Sequence, residues 1–276
     1  MIASRPWAAF ALAALAAGCG QKLQSFLYSP TPESSYQLPA ALQSFATAQT
    51  LTASDGTKVA AYYVAAPGPA DRGVLYFHGN EANMDHYWDR VQILHDLGYP
   101  VLTFDYRGYG ATPGKPTEPG LYEDARAAVE ALHQRPELAH YCYYGWSLGA
   151  AIAYEMAVEA PPDALVSESA FASVQQIEDD GAGNLDLPGE WLTPDRYDNV
   201  GKIGAIDLPI LLLHGEDDTF IRVNHALLLE AAAKAGKVPL TVWLIPGAGH
   251  STIPTVGGQQ YLNLVQATLG PPLSGP

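Results

Sequence analysis

Short runs of apolar residues alternate with longer stretches of helical spacing along most of the chain. The runs that predict strands are Phe45–Thr52, Lys58–Ala65, Val74–Phe77, Val101–Phe104, Tyr141–Tyr144, Asp163–Ser167, Ile210–Leu213 and Leu240–Leu244. The stretches that predict helices are Met84–Leu97, Leu121–Gln134, Leu148–Val158, Asn224–Ala235 and Tyr261–Leu269. This alternation predicts an α/β fold with a mostly parallel sheet and helices on both faces. The Asp55-Gly56 turn predicts an initial hairpin, so the sheet should be mixed.

One predicted strand passes into the next helix almost without a loop, and the pattern Gly145-x-Ser147-x-Gly149 lies at this junction. Such a passage forces Ser147 into a strained backbone conformation, and the two glycines avoid side-chain collisions around it. The hydroxyl then stands at the carboxyl end of the sheet. The Leu148 N–H lies beside it at a helix N-terminus, where negative charge is stabilised. The pattern therefore predicts a nucleophilic serine.

A nucleophilic serine needs a base, and the base needs a carboxylate to orient it. In this strand–turn–helix architecture the chain order is serine, acid, histidine. Three histidines follow Ser147. His214 ends a strand and His225 begins a helix, which is typical of structural residues. His250 follows the last strand in a Gly-rich loop and is the candidate base.

The acid is expected in the loop after the strand Ile210–Leu213, which offers a choice of carboxylates. The candidates in that loop are Glu216, Asp217 and Asp218. The residues alone leave this choice open.

Five motifs occur in a consistent order along the chain. They are H-G-N at His78–Asn80, D-Y-R-G-Y-G at Asp105–Gly110, G-x-S-L-G at Gly145–Gly149, H-G-x-x-D at His214–Asp218 and G-x-x-H at Gly247–His250. With them the chain resembles the α/β-hydrolase superfamily, and within it the Bem46-like serine hydrolases, from about residue 26 to residue 269. The resemblance implies an α/β-hydrolase fold with a small cap.

The resemblance also implies roles for individual residues. It assigns the acid to Asp218, with Asp217 as the alternative. It implies an oxyanion hole made by the backbone N–H groups of Asn80 and Leu148. Glu81 is the neighbouring alternative to Asn80, and its carboxylate is expected to point away from the developing oxyanion.

The stretch from Ala170 to Asp207 is short and irregular, which is consistent only with a small cap. Phe171, Trp191 and Leu192 either line a pocket under this cap or belong to the core. Trp146 is a bulky residue within the G-x-S-L-G motif, and we expect it to pack against neighbouring loops.

The amino terminus differs from the rest of the chain. Arg5 precedes eleven apolar residues, Trp7–Ala17, which are too few to span a bilayer and are typical of a signal peptide. Leu15–Cys19 resembles a bacterial lipoprotein cleavage box. We therefore expect the following organisation: a signal peptide over 1–18, a lipidated Cys19 with a tether over 19–44, a hydrolase domain over 45–270 and a flexible tail over 271–276. The protein would then be anchored to a membrane and face the periplasm or the cell exterior. The alternative is signal-peptide cleavage after a small-x-small run such as Ala14–Ala16 and secretion as a soluble protein.

Composition narrows the function classes. The formal net charge of −15 argues against a nucleic-acid partner. The two cysteines, Cys19 and Cys142, exclude a disulfide framework and a cysteine-based zinc site. Histidine pairs at metal-binding spacing are absent, and the phosphate-loop and dinucleotide patterns fail. No cofactor and no metal are therefore expected.

These observations predict a serine hydrolase that cleaves carboxylic esters or thioesters of small-molecule or acyl substrates through a Ser147–His250–Asp218 triad and an acyl-enzyme. One alternative is a peptidase or amidase of the same fold, for which Glu178–Asp180 is the local carboxylate candidate. A second alternative is a surface-anchored binding protein on a hydrolase scaffold.

Overall fold

An eight-stranded sheet forms the centre of the molecule. The computed structural model describes residues 26–33, 35–181 and 193–273. The strands are β1 (Ala46–Thr52), β2 (Lys58–Val64), β3 (Arg72–Phe77), β4 (Val101–Phe104), β5 (His140–Trp146), β6 (Ala164–Glu168), β7 (Ile210–Gly215) and β8 (Leu240–Ile245). Their order across the sheet is β8-β7-β6-β5-β3-β4-β2-β1. Only β2 runs antiparallel to its neighbours, so the mixed, mostly parallel sheet predicted from the sequence is confirmed.

Helices cover both faces of this sheet. The helices are α1 (Trp88–Asp96), which follows a 3-10 turn at Met84–Tyr87, α2 (Glu118–His133), α3 (Leu148–Glu159), α4 (Val174–Asp179), α5 (Asn199–Ile203), α6 (Asn224–Gly236) and α7 (Ile253–Leu269). Apolar residues of α1 and α7 pack in one core, and those of α2, α3 and α6 pack in the other. Successive side chains of a strand point to opposite faces of the sheet, so each strand contributes to both cores. In β3, Leu75 and Phe77 face the α3 side, whereas Val74 and Tyr76 face the α1 side.

Helix α7 begins earlier than its sequence pattern predicts. The structure places its start at Ile253 instead of Tyr261, with a kink at Gly258, where φ is 50° and ψ is −132°. This non-helical residue interrupts the 3.6-residue period, which explains why the pattern indicates only the second half.

The stretch from residue 170 to 207 contains the two short helices α4 and α5, which the sequence pattern does not predict. Each begins at a side-chain cap: Ser173 accepts from the Gln176 N–H, and Asp198 accepts from the Gly201 N–H. Residues 182–192, including Trp191 and Leu192, lie outside the described part of the chain.

The described part of the expected tether is packed onto the domain. Leu27 and Tyr28 are buried, and the Ser29 and Thr31 N–H groups donate to the carbonyls of Asn80 and Ala82. The apolar and aromatic side chains of this segment pack against the hydrophobic core of the domain. A flexible tether would make no such contacts. The folded domain therefore extends back to Phe26 and does not start at residue 45.

The signal peptide and the flexible tail were expected at the two ends of the chain. Residues 1–25, with the expected signal peptide and Cys19, lie outside the described residues. Within the described ranges, no helix has the length and apolar character needed to cross a membrane. The described part of the expected flexible tail is hydrogen-bonded instead: the Pro272 carbonyl accepts from the Asp71 and Arg72 N–H groups at the start of β3.

Candidate active site

Ser147 lies in a strained turn between β5 and α3, with φ 54° and ψ −117°. The glycines on either side are required by close backbone approach. A Cβ atom at Gly149 would lie 2.0 Å from the Phe77 carbonyl oxygen, and one at Gly145 would lie 2.5 Å from the Ala150 Cα atom. The strained turn expected from the G-x-S-x-G pattern is therefore present.

The structure brings Ser147, His250 and Asp218 together in one hydrogen-bonded chain. The His250 Nε2 atom lies 3.0 Å from the Ser147 Oγ atom, and the His250 Nδ1 atom lies 2.7 Å from the Asp218 Oδ2 atom. The Asp218 side chain is fully buried, and that of His250 is 18% exposed. The imidazole therefore bridges a buried carboxylate and a hydroxyl at the wall of a cavity, which is the arrangement expected of a candidate general base.

The loop around Asp218 explains why this carboxylate, of the three in the loop, faces inward. Its Oδ1 atom accepts hydrogen bonds from the Phe220 and Ile221 N–H groups, both at 2.9 Å. This leaves Oδ2 for His250. Asp217 and Glu216 are exposed, and their N–H groups donate to the carbonyls of Ala248 and Ile245. Asp217 therefore supports the turn. Within the described part of the chain, its side chain makes no hydrogen bond to His250.

The other two histidines that follow Ser147 occupy structural positions. His214 is buried and donates from Nε2 to the Ile221 carbonyl at 2.8 Å, and burial lowers its pKa. His225 accepts from the Ala172 N–H at Nδ1, at 3.0 Å, and its Nε2 atom lies 3.3 Å from the Asp180 Oδ2 atom. Burial lowers the pKa of His225 to about 4. Both are therefore neutral groups near pH 7 that hold loops around the site.

The backbone of His250 is held from two sides. The Trp146 Nε1–H group and the Ser169 hydroxyl both donate to the His250 carbonyl, at 3.2 and 2.9 Å. Trp146 thus packs against neighbouring loops, as expected, and also helps to position the candidate base. Ser169 was missed by sequence reasoning, because it lies 81 residues from His250 and carries no motif.

A buried ion pair between Arg90 and Glu168 also supports the loop of His250. The Arg90 Nη2 atom lies 2.7 Å from the Glu168 Oε1 atom and 2.9 Å from the Ser251 carbonyl. The guanidinium also lies 4.4 Å from the centre of the Trp146 ring. Glu168 is fully buried and accepts further hydrogen bonds from the Tyr144 and Tyr261 hydroxyls. Arg90 therefore connects α1 to the loop that carries His250.

The two expected oxyanion donors lie on the wall of one cavity with Ser147. Leu148 is the first residue of α3, so its N–H has no acceptor within the helix. The loop that carries Asn80 is held by the tyrosines of the D-Y-R-G-Y-G motif: Tyr106 donates to the His78 carbonyl at 3.0 Å and Tyr109 to the Asn80 carbonyl at 2.9 Å. This motif therefore positions the loop of Asn80.

Glu81, the neighbouring alternative to Asn80, has a carboxylate side chain that is 68% exposed. Its backbone N–H donates to the Tyr87 hydroxyl at 3.0 Å. The carboxylate therefore lies largely in solvent, and the N–H is already used within the loop. Both observations favour Asn80 over Glu81 as the donor.

Two cavities flank Ser147. The narrow slot has a volume of about 10 Å³, and its lining residues are Phe26, Leu27, Asn80, Ser147, Leu148, Phe171, Ile177, Phe220 and Ile221. The wide cleft has a volume of about 320 Å³, and its lining residues are Phe26, Ser29, Gly79, Asn80, Glu81, Tyr87, Trp146, Ser147, Phe220 and His250. Phe171, left open between pocket and core, lines the slot. Phe26 and Phe220 line both cavities and were missed, because no motif or periodicity marks them.

The described residues contain no group of three or more His, Cys, Asp or Glu side chains that could hold a metal ion. Cys142 is buried and is a free thiol, and burial raises the pKa of this thiol to about 11.

Comparison with known proteins identifies the family. Residues 68–185 match the family model described as serine aminopeptidase, S33. The chain is 34% identical over 244 residues to the uncharacterised protein MT2364 of Mycobacterium tuberculosis, covering 87% of this chain and 83% of that protein. It is 30% identical over 216 residues to alpha/beta hydrolase domain-containing protein 17B of Homo sapiens, covering 76% of this chain and 70% of that protein. The chain belongs to the α/β-hydrolase family.

A solved structure shares the fold of this hydrolase. The Pyrococcus furiosus esterase PF2001 superimposes with a TM-score of 0.74 at 21% identity, over 88% of this chain and 96% of that chain. The α/β-hydrolase fold predicted from the five motifs is therefore confirmed.

Proposed function

We propose that this hydrolase cleaves carboxylic esters or thioesters through an acyl-enzyme on Ser147. The observation that carries the proposal is the continuous hydrogen-bonded chain from Ser147 through His250 to the buried Asp218. A serine at a strained strand–helix turn with such a chain is suited to nucleophilic attack on a carbonyl carbon.

The reaction has two halves. His250 Nε2 takes the proton of the Ser147 hydroxyl as its oxygen attacks the carbonyl carbon, and Asp218 stabilises the imidazolium through Nδ1. The Asn80 and Leu148 N–H groups stabilise the negative carbonyl oxygen. His250 then gives its proton to the leaving oxygen or sulfur, and the bond to the leaving group breaks. Water, deprotonated by His250, attacks the acyl-enzyme and releases the carboxylic acid, and Ser147 regains its proton.

The test is covalent labelling with a fluorophosphonate, which reacts with activated serines. We expect the wild-type protein to be labelled and to hydrolyse p-nitrophenyl acetate. Ser147→Ala should lose labelling and most turnover, because the nucleophile is absent. Labelling of Ser147→Ala at the wild-type level would contradict the assignment. Equal turnover of p-nitroanilides and p-nitrophenyl esters would favour the peptidase or amidase alternative, and an unlabelled wild-type protein would favour a binding role.

We also propose that Cys19 carries a lipid anchor. The support is the cleavage-box pattern, since a bacterial lipoprotein's several acyl chains hold a protein stably at a membrane. Phe26 is seven residues beyond Cys19, so the anchor would keep this edge of the active site within about 25 Å of the attachment point. Intact-mass measurement on the membrane fraction should show a modified amino terminus at Cys19. An unmodified terminus produced by cleavage elsewhere would mean plain secretion.

A further inference from the structure

The two cavities beside Ser147 differ in the proposed catalytic residues that line them. His250 lines the wide cleft, whereas the described residues that line the narrow slot do not include it. Leu148, one of the oxyanion donors, lines the slot. The two sides of the nucleophile are therefore chemically different.

This difference assigns the two halves of an ester. The leaving oxygen must accept a proton from His250 Nε2, so it lies on the side of the cleft. The acyl chain extends from the same carbonyl carbon in the other direction, towards the slot. The slot is lined by apolar side chains, including Phe171 and Ile177, which suit a hydrocarbon chain and not a polar alcohol.

The slot is small. Its volume of about 10 Å³ compares with the roughly 10–15 Å³ that one water molecule needs on the same measure. A methyl group fills such a space. A longer chain would need room beyond Phe26, Ile177 and Phe220, which also line a further cavity of about 180 Å³.

Two aromatic rings form part of the wall of the slot, and they also line the cleft. Phe26 and Phe220 stack with their centroids 4.6 Å apart, and the Phe220 ring lies 4.9 Å from that of His250. The backbone of Phe26 is held by the Asn80 side chain, whose Nδ2 atom donates to the Phe26 carbonyl at 2.6 Å. The amino-terminal segment is thereby attached to the loop that supplies an oxyanion donor.

We propose that the narrow slot is the acyl-binding site and that Phe26 and Phe220 limit it to short acyl groups, acetyl and propionyl. The inference rests on the proposed function and names its substrate class. The wide cleft takes the alcohol or thiol half, which can be much larger. Phe26 and Phe220 are specificity-determining residues, since they set the length of the slot and take no part in proton transfer.

The experiment measures kcat/KM for p-nitrophenyl acetate, butyrate, hexanoate and octanoate with the full chain. The wild-type protein should prefer acetate and lose activity with each longer ester. Phe26→Ala should raise the ratio of hexanoate to acetate by more than tenfold, because each methylene that the enlarged slot buries is worth about fourfold. Phe220→Ala, at a position that is 42% exposed, should act in the same direction and serves if Phe26→Ala does not fold. Leu227→Ala, at an exposed position of α6 outside both cavities, is the matched control and should keep the wild-type ratio.

The outcomes separate this inference from the proposed function. A wild-type preference for octanoate would overturn the slot assignment. So would an unchanged hexanoate-to-acetate ratio in both phenylalanine variants, provided that the fluorophosphonate still labels Ser147. A wild-type protein that is not labelled and turns over no ester would overturn the proposed function and this inference with it. A series of acetate esters with alcohols of increasing size should show little change in kcat/KM, because the alcohol lies in the wide cleft.

Discussion

Replacing Asp218 by asparagine should remove most of the activity while leaving the fold intact. The Oδ1 atom of Asp218 accepts two backbone N–H groups, from Phe220 and Ile221. In Asp218→Asn this position must hold the amide oxygen, because an NH2 group there would face two donors. The amide nitrogen therefore faces His250 Nδ1 in place of the present Oδ2 atom, which lies 2.7 Å away. His250 is then driven to the tautomer that carries its proton on Nε2, where it cannot accept the proton of Ser147.

The expected loss in kcat is about 10⁴-fold, the size that this tautomer change causes in a serine protease, and it corresponds to about 5 kcal/mol of transition-state stabilisation. The assay is steady-state hydrolysis of p-nitrophenyl acetate, with thermal unfolding as the check on the fold. Asp217→Asn is the matched control, since Asp217 is the exposed neighbour in the same loop, and its activity should stay within about twofold of wild type. A loss below tenfold in Asp218→Asn, or an equal loss in both variants, would refute the tautomer argument.

Two further predictions concern stability. Arg90→Met should lower the free energy of unfolding by about 3–5 kcal/mol in urea titration, because it leaves the Glu168 carboxylate buried without its cation; adding Glu168→Gln should recover part of the loss, and an equal or greater loss in the double variant would contradict the ion-pair explanation. His225 has a pKa of about 4 when folded and about 6.5 when unfolded, so the unfolded chain binds more protons between these values and stability falls as the pH drops from 6.5 towards 4. Between pH 7 and pH 5, the free energy of unfolding of His225→Gln should therefore fall by about 2 kcal/mol less than that of the wild-type protein. Parallel curves of unfolding free energy against pH for the two proteins would rule this out.

The arrangement of the sheet and the position of the candidate nucleophile could be read from the sequence, because both depend on neighbouring residues. Apolar runs such as Val101–Phe104 bury on both faces of a parallel sheet and so have a local pattern. The strand–helix junction at Ser147 likewise needs its glycines within two residues. The side chain of His250 could be expected near Ser147, since the strand that precedes it ends at the same edge of the sheet.

Only the tertiary structure decided how the candidate acid is presented and what surrounds the candidate nucleophile. Three carboxylates share the loop after β7, and the local pattern does not distinguish them. The difference is that two backbone N–H groups converge on Asp218 once the loop is folded.

The walls of the cavities are decided in the same way, but over longer separations along the chain. The Phe26 and Phe220 rings stack across 194 residues of sequence, and Arg90 reaches Glu168 across 78. Periodicity records which face of an element is buried, but not which distant side chain it meets. The residues that shape the slot and hold the candidate base therefore had no signal in the sequence, because their contacts exist only after the sheet has brought its loops to one edge.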